Sequence, residues 1–182
     1  MSDDGATPRE LLLESCRRNN AALLADVLER VSGASGNKEE EVARLLNTAT
    51  DGVGRFCLHV AAGCGSYEVL DTLLDQEGLE VDPVDRLDAD IPLHKAVRFV
   101  NSLSKEEWEA GASLVELLLD AGADPRIRNK AKLKPCELVD PRNTELRATL
   151  QKAEFAMLAG DDVIGRDGED EQGPTGSASD SE

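Results

Sequence analysis

Ile91-Pro92-Leu93-His94-Lys95-Ala96-Val97 has a partial copy upstream, Phe56-Cys57-Leu58-His59-Val60-Ala61-Ala62, and the two segments read together decide the fold. Their histidines stand roughly 35 residues apart, inside the window of about 20–50 residues that marks stacked repeats. Each copy follows an acidic turn, Asp51-Gly52-Val53-Gly54 or Asp88-Ala89-Asp90, and precedes a Leu-rich segment ending in glycine. The order is turn, helix, helix, turn. Pro92 presets φ for a first helical turn, Leu93 points into the stack, and the small Ala96 lets neighbouring helices approach. Gly65, Gly78 and Gly122 fall where a chain leaving a helix, or turning back, takes positive φ or has no room for a Cβ.

These residues resemble the ankyrin family, whose repeat runs Gly-x-Thr-Pro-Leu-His-x-Ala-Ala and later Leu-Leu-x-x-Gly-Ala-Asp. Ile91 to Ala96 and Leu118-Leu119-Asp120-Ala121-Gly122-Ala123-Asp124-Pro125 are close matches. The earlier copy departs from the pattern, with Phe56-Cys57 in place of Thr-Pro and a longer ending at Asp75 to Asp82. Leu133 to Val139 resembles a divergent terminal repeat, and the stretch Lys134 to Asn143 resembles the closing repeat of small fungal ankyrin-only proteins. The resemblance implies an all-α ankyrin-repeat solenoid of about four stacked antiparallel helix pairs with projecting β-hairpin or loop fingers. In it Leu58, His59, Leu93, His94 and Gly122 are structural positions of the repeat, and the function is to bind a protein partner. An assembly or inhibitory factor for a larger complex has the same physics and a different biological role.

The flanking sequence reads as caps and insertions. Thr7-Pro8-Arg9-Glu10 has capping-box spacing with Pro at the first helical position, and Leu11, Leu12 and Cys16 then share a face. After Asn19-Asn20, Leu23, Leu24, Val27, Leu28 and Val31 continue at helical spacing as an antiparallel partner. Asn37 and Glu40 have capping-box spacing and predict an extra short helix in the first inter-repeat loop. His94 to Leu118 is about ten residues longer than His59 to Leu73, an insertion expected to extend the outer helix from the capping box at Ser104 to Glu107. The expected layout is a flexible N-terminus at 1–7, a repeat domain at 8–160 and a disordered acidic tail at 161–182. Within the repeat domain fall a cap pair at 8–33, an insertion at 34–47, repeats at 51–85 and 86–125, and a C-terminal cap at 126–160. The tail assignment rests on Asp161, Asp162, Asp167, Glu169, Asp170, Glu171, Asp180 and Glu182 against the single base Arg166, a composition that cannot bury enough surface to offset ordering entropy.

Composition narrows the function classes. Lys and Arg number 20 against 37 Asp and Glu, a net charge of −17 that repels nucleic acid and anionic lipid. Aromatic residues make up only 3%, so the core must be built from Leu, Val and Ala, as helices allow. Apolar runs are far shorter than the roughly 20 residues of a membrane span, and no secretory leader pattern opens the chain. The expectation is a monomer of the cytosol or nucleus, with Cys16, Cys57, Cys64 and Cys136 as buried free thiols.

Candidate chemistry is sparse. His59 and His94 with Cys57 and Cys64 offer metal-ligand types, but no Cys-x-x-Cys or His-x-x-x-His spacing prepares a site. They are read instead as repeat histidines whose imidazoles bond to neighbouring loop backbone, and no cofactor or metal is expected. A thiol enzyme using Cys57 or Cys64 would need a nearby base, and His59 is the candidate. No phosphate-binding glycine loop or nucleophile elbow is present. The partner-binding candidates are Trp108 and the alternating basic strip Arg126, Arg128, Lys130, Lys132 and Lys134. In a finger, period-two spacing would aim these charges to one side, towards an acidic partner or the protein's own tail.

Overall fold

Helices begin where the sequence supplies a cap and an apolar stripe. In the computed structural model, which describes residues 5–33 and 36–166, helix α1 (Pro8–Arg18) opens with the complete Thr7/Glu10 capping box and ends at Asn19 in the left-handed region. Helix α2 (Ala21–Gly33) starts beside Asn20, whose side-chain oxygen accepts from Leu23 N–H at 3.0 Å. Then follow α3 (Lys38–Thr48), α4 (Cys57–Cys64), α5 (Tyr67–Leu74), α6 (Pro92–Ser102), a short 3-10 turn at Lys105–Glu107, α7 (Trp108–Asp120), α8 (Pro135–Leu138) and α9 (Thr144–Arg166). No strand occurs among the described residues; the nearest feature is one antiparallel bridge between Thr50 and Phe56.

The helices stack in two rows. Helices α1, α4, α6 and α8 pack side by side as the inner row; α2, α5, α7 and α9 each pack on the inner helix of their own pair. This is a solenoid of four helix pairs, with the outer two serving as caps. Leu12, Leu58, Leu93, Leu70, Leu118 and Leu146 lie at or near zero exposure in one continuous core. Small residues permit the close row spacing: Ala61, Ala62 and Ala96 are fully buried. Gly65 takes φ +70°, and a Cβ there would lie 2.1 Å from the Phe99 ring, so the inner helix of one repeat ends where the next repeat's aromatic side chain sits.

The expected insertion helix is present, and three other expectations need correction. Helix α3 packs along α2 through buried Val42 and Leu46, and Asn47 ties it to the chain after α5 by donating to Gly78 C=O and accepting from Glu80 N–H. Its Asn37 forms no cap bond, because its amide is turned onto Glu40 at 2.7 Å instead. The later insertion lengthens both helices of its pair, since α6 has 11 residues against 8 in α4 and α7 has 13 against 8 in α5. Helix α9 runs past Gly160 to Arg166, so the first part of the predicted tail is helical; residues 167–182 lie outside the described residues.

Candidate finger surface

One device recurs at the head of every inner helix. The residue three positions in accepts a hydrogen bond from the N-cap backbone N–H: Glu10 from Thr7 at 2.8 Å, His59 from Phe56 at 3.3 Å, His94 from Ile91 at 3.2 Å and Glu137 from Lys134 at 2.7 Å. In both histidines the accepting atom is Nδ1, so the neutral ring carries its proton on Nε2. That Nε2–H donates to the next repeat, from His59 to Asp90 C=O at 2.7 Å and from His94 to Leu133 C=O at 2.9 Å. Burial disfavours the imidazolium and holds both histidines below their usual range, although the carbonyl each ring meets and the nearby aspartates pull the other way. The cap pair lacks a histidine, and Arg9 makes the equivalent tie with its Nε on Thr50 C=O at 2.8 Å.

These ties hold three loops, the fingers, against the stack. Each is closed by one side chain that also ends a backbone hydrogen bond: Asp51 N–H to Arg55 C=O, Asp85 N–H to Asp90 C=O and Asn129 N–H to Leu133 C=O. Asp51 Oδ1 accepts from the N–H of Val53 and Arg55, Asp85 Oδ1 from Asp88 and Asp90, and Asn129 Oδ1 from Leu133. Such turns come from a short polar side chain bonding its own downstream backbone. Adjacent fingers are stitched in turn, Arg86 N–H to Gly54 C=O at 3.3 Å and Lys130 N–H to Asp88 C=O at 2.8 Å.

Beneath the second finger sits a buried ionic knot. Lys95 Nζ lies 2.9 Å from Asp85, 3.3 Å from Asp88 and 3.0 Å from Asp90, with Arg98 and Asn129 completing the shell of Asp90 at 3.0 and 2.9 Å. Three carboxylates this close are a grouping that suits a cation, and the ammonium of Lys95 fills that role. Burial alone would raise Asp85 and Asp90, but their hydrogen bonds and the Lys95 charge outweigh it and keep both below the ordinary carboxylate range.

The chain resembles known proteins over most of its length. It is 42% identical over 159 residues to an ankyrin repeat-containing protein of Saccharomyces cerevisiae, covering 86% of this chain and 83% of that relative. The family model for the ankyrin repeat matches residues 53–89, from the first finger through the second. The chain belongs to the ankyrin-repeat family. Ankyrin repeats are generally protein-interaction modules.

The basic strip is placed differently from its sequence reading. Residues 126–134 form turns, not a strand, and Lys132 sits at φ +65°, so the alternation does not sort the charges to one side. Arg126 is held by Asp124 and Asp161, Arg128 by Glu137 and the Lys132 carbonyl, and Lys134 by Glu154. Lys130 and Lys132 are exposed and carry no ion pair among the described residues. Trp108 is half-buried against the core, with the Arg142 guanidinium 5.9 Å from its ring centroid and its indole N–H buried without an acceptor. It borders a cleft of about 730 Å³ between the starts of α7 and α9, far along the stack from the first finger.

The thiols also divide. Cys57 is fully buried, donates to Leu46 C=O at 3.4 Å and is pushed up to about 12 by burial; Cys16 is buried and raised likewise. Cys136 is buried too, but Cys64 is exposed, contrary to expectation, because it occupies the last turn of α4 just before the Gly65 cap. Both nitrogens of His59 are engaged by backbone, so this ring is not available as a base for either neighbouring thiol. Sequence reasoning found the histidine ties but missed the Lys95 knot and the apolar finger tips Val53, Val84 and Leu87. The Asp85-x-x-Asp-x-Asp90 spacing before Lys95 was the available signal for the first.

Proposed function

We propose that this protein is a non-catalytic interaction module that binds a protein partner through its finger and inner-helix surface. One observation carries the reading: loops fixed by buried ties present apolar side chains, Val53, Val84 and Leu87, that are about half or more open to solvent and stand outside the hydrophobic core. Exposed apolar groups on a rigid frame favour association because little ordering entropy is lost when they are covered. The engagement of both His59 nitrogens by backbone supports a non-enzymatic role, and four free cysteines suit a reducing compartment, cytosol or nucleus. Among the described residues no helix is long and apolar enough to cross a membrane.

Site-specific photo-crosslinking of the full chain in cells tests this. A photoreactive residue at Val53, Leu87 or Lys132 is expected to trap one defined protein, whereas the same residue at Asp71, on the outer face of α5, is expected to trap none. Crosslinking that is equal at all four positions, or absent from every finger, would overturn the proposal.

A further inference from the structure

We propose that the groove between α7 and α9, on the outer row of the stack, docks a short amphipathic helix of a partner protein whose polar flanks carry lysine or arginine. This surface is separate from the fingers and goes beyond the finger-binding reading, so either can fail without the other. Helix α5 packs on both α2 and α7, but α9 packs on α8 and leaves a gap beside α7. Two clefts occupy that gap, of about 730 and 490 Å³, and they share Glu116 and Thr149, so they form one groove along the length of α7. Trp108 and Ala112 line one half and Leu119, Ala153 and Met157 the other, all of them partly exposed. A groove between two helices, with apolar side chains from both, is the shape that receives the apolar stripe of a third helix.

The rim of the groove decides the charge of that helix. It carries five carboxylates, Glu106, Glu109, Glu116, Asp120 and Glu145, against three cations, Lys105, Arg142 and Lys152. None of the five acids makes an ion pair among the described residues, whereas Arg142 is already held by Asp140 at 2.8 Å and lies over Trp108. Glu109 and Glu145 suit the N-terminal ends of their own helices. Glu116 and Asp120 do not: they lie in the C-terminal half of α7, whose last turn carries no base and where the helix dipole opposes negative charge. A cation supplied by a partner gains most beside those two. The acidic C-terminal residues of the chain and a second copy of it carry the wrong sign for this rim, as do nucleic acid and anionic lipid, given the net charge of −17.

Trp108 is the sole tryptophan of the chain, so its fluorescence reports binding directly. Synthetic helices of about fourteen residues, roughly 21 Å long and free of aromatic residues, are titrated into the full-length ¹⁵N-labelled protein. They are a Lys/Leu helix with leucine at helical spacing, its Glu/Leu counterpart, a Lys/Ser version and a Lys/Leu scramble without an apolar stripe. The first is expected to bind at least about tenfold tighter than the others, to shift the Trp108 emission and to move amides of α7 and α9. Glu116→Lys combined with Asp120→Lys should weaken that binding by about tenfold or more. Glu68→Lys combined with Asp71→Lys on α5 changes the net charge equally and should alter it by less than about twofold. All four side chains are exposed, so both double variants keep the fold, which unshifted core amides check. Equal losses in the two double variants would reduce the attraction to the general acidity of the chain and overturn the proposal, as would equal binding of the Lys/Leu helix and its scramble. Amide shifts confined to the fingers would overturn it too, while leaving the finger reading to the crosslinking.

Discussion

The first two fingers and the third are built by the same device yet present different surfaces. In each, a short polar side chain closes the loop, and the second and third loops are anchored by a histidine of the preceding repeat. The first pair turns Val53, Val84, Arg86 and Leu87 outward without partners, whereas the third folds Arg126 and Lys134 onto α9. The lesson is that a basic run in a sequence measures charge present and not charge available. In an acidic protein the strongest local attraction for a cation is another part of the same chain.

The sharpest way to break the comparison is to remove what holds the second finger. Lys95→Met leaves Asp85 and Asp90, whose side chains are fully buried, without their ammonium, and should cost about 3 kcal/mol or more in urea unfolding at neutral pH. A loss under about 1 kcal/mol would mean that the knot is solvated rather than structural.

A pair of backbone changes comes next. Gly54 takes φ +84°, and a Cβ there would lie 2.5 Å from Arg86 Cβ, so Gly54→Ala should destabilise by about 2 kcal/mol and spread the first two fingers. In the third finger the strain runs the other way: Lys132 is held at φ +65°, so Lys132→Gly should leave stability unchanged or raise it by up to about 1 kcal/mol. Matching losses in the two variants would contradict the difference drawn between the loops.

Charge reversal then separates committed from open cations. Lys134 and Glu154 retain only 20% and 18% side-chain exposure, and Lys134→Glu should lower stability by about 1 kcal/mol by setting two carboxylates together. Arg86→Glu and Lys132→Glu should each stay within about 0.5 kcal/mol of the parent chain. A larger loss at Arg86 than at Lys134 would reverse the assignment.

The smallest effect is a titration. The histidine Cε1–H resonances of both rings should move with midpoints below 6.5, because protonating Nδ1 removes the acceptor of an N-cap amide inside a buried site. The folded chain thus refuses protons that the unfolded chain accepts, so the stability from these two groups is complete above about 6.5 and is lost as the pH falls below it. Midpoints at or above 6.5 would show that the rings are solvated.

Much of this architecture was legible in local sequence. The Pro at the head of α1, α6 and α8 and the Thr7/Glu10 box are read from residues within one or two turns of each other, the repeat period from two copies of one segment about 35 residues apart, and the structural role of His59 and His94 from the resemblance those copies carry. Helix and turn formation depend on such near neighbours, which is why spacing reveals them. What the sequence left open was how each charge is used. Lys134 meets Glu154 across 20 positions and Arg126 meets Asp161 across 35, contacts that exist only because α9 lies along the third finger. The docking of the insertion helix α3 along α2 was likewise decided by packing, through buried Val42 and Leu46. Sequence determined the repeating unit; only the stack decided which side chains remain for a partner, because burial and ion pairing are settled between elements that no local spacing connects.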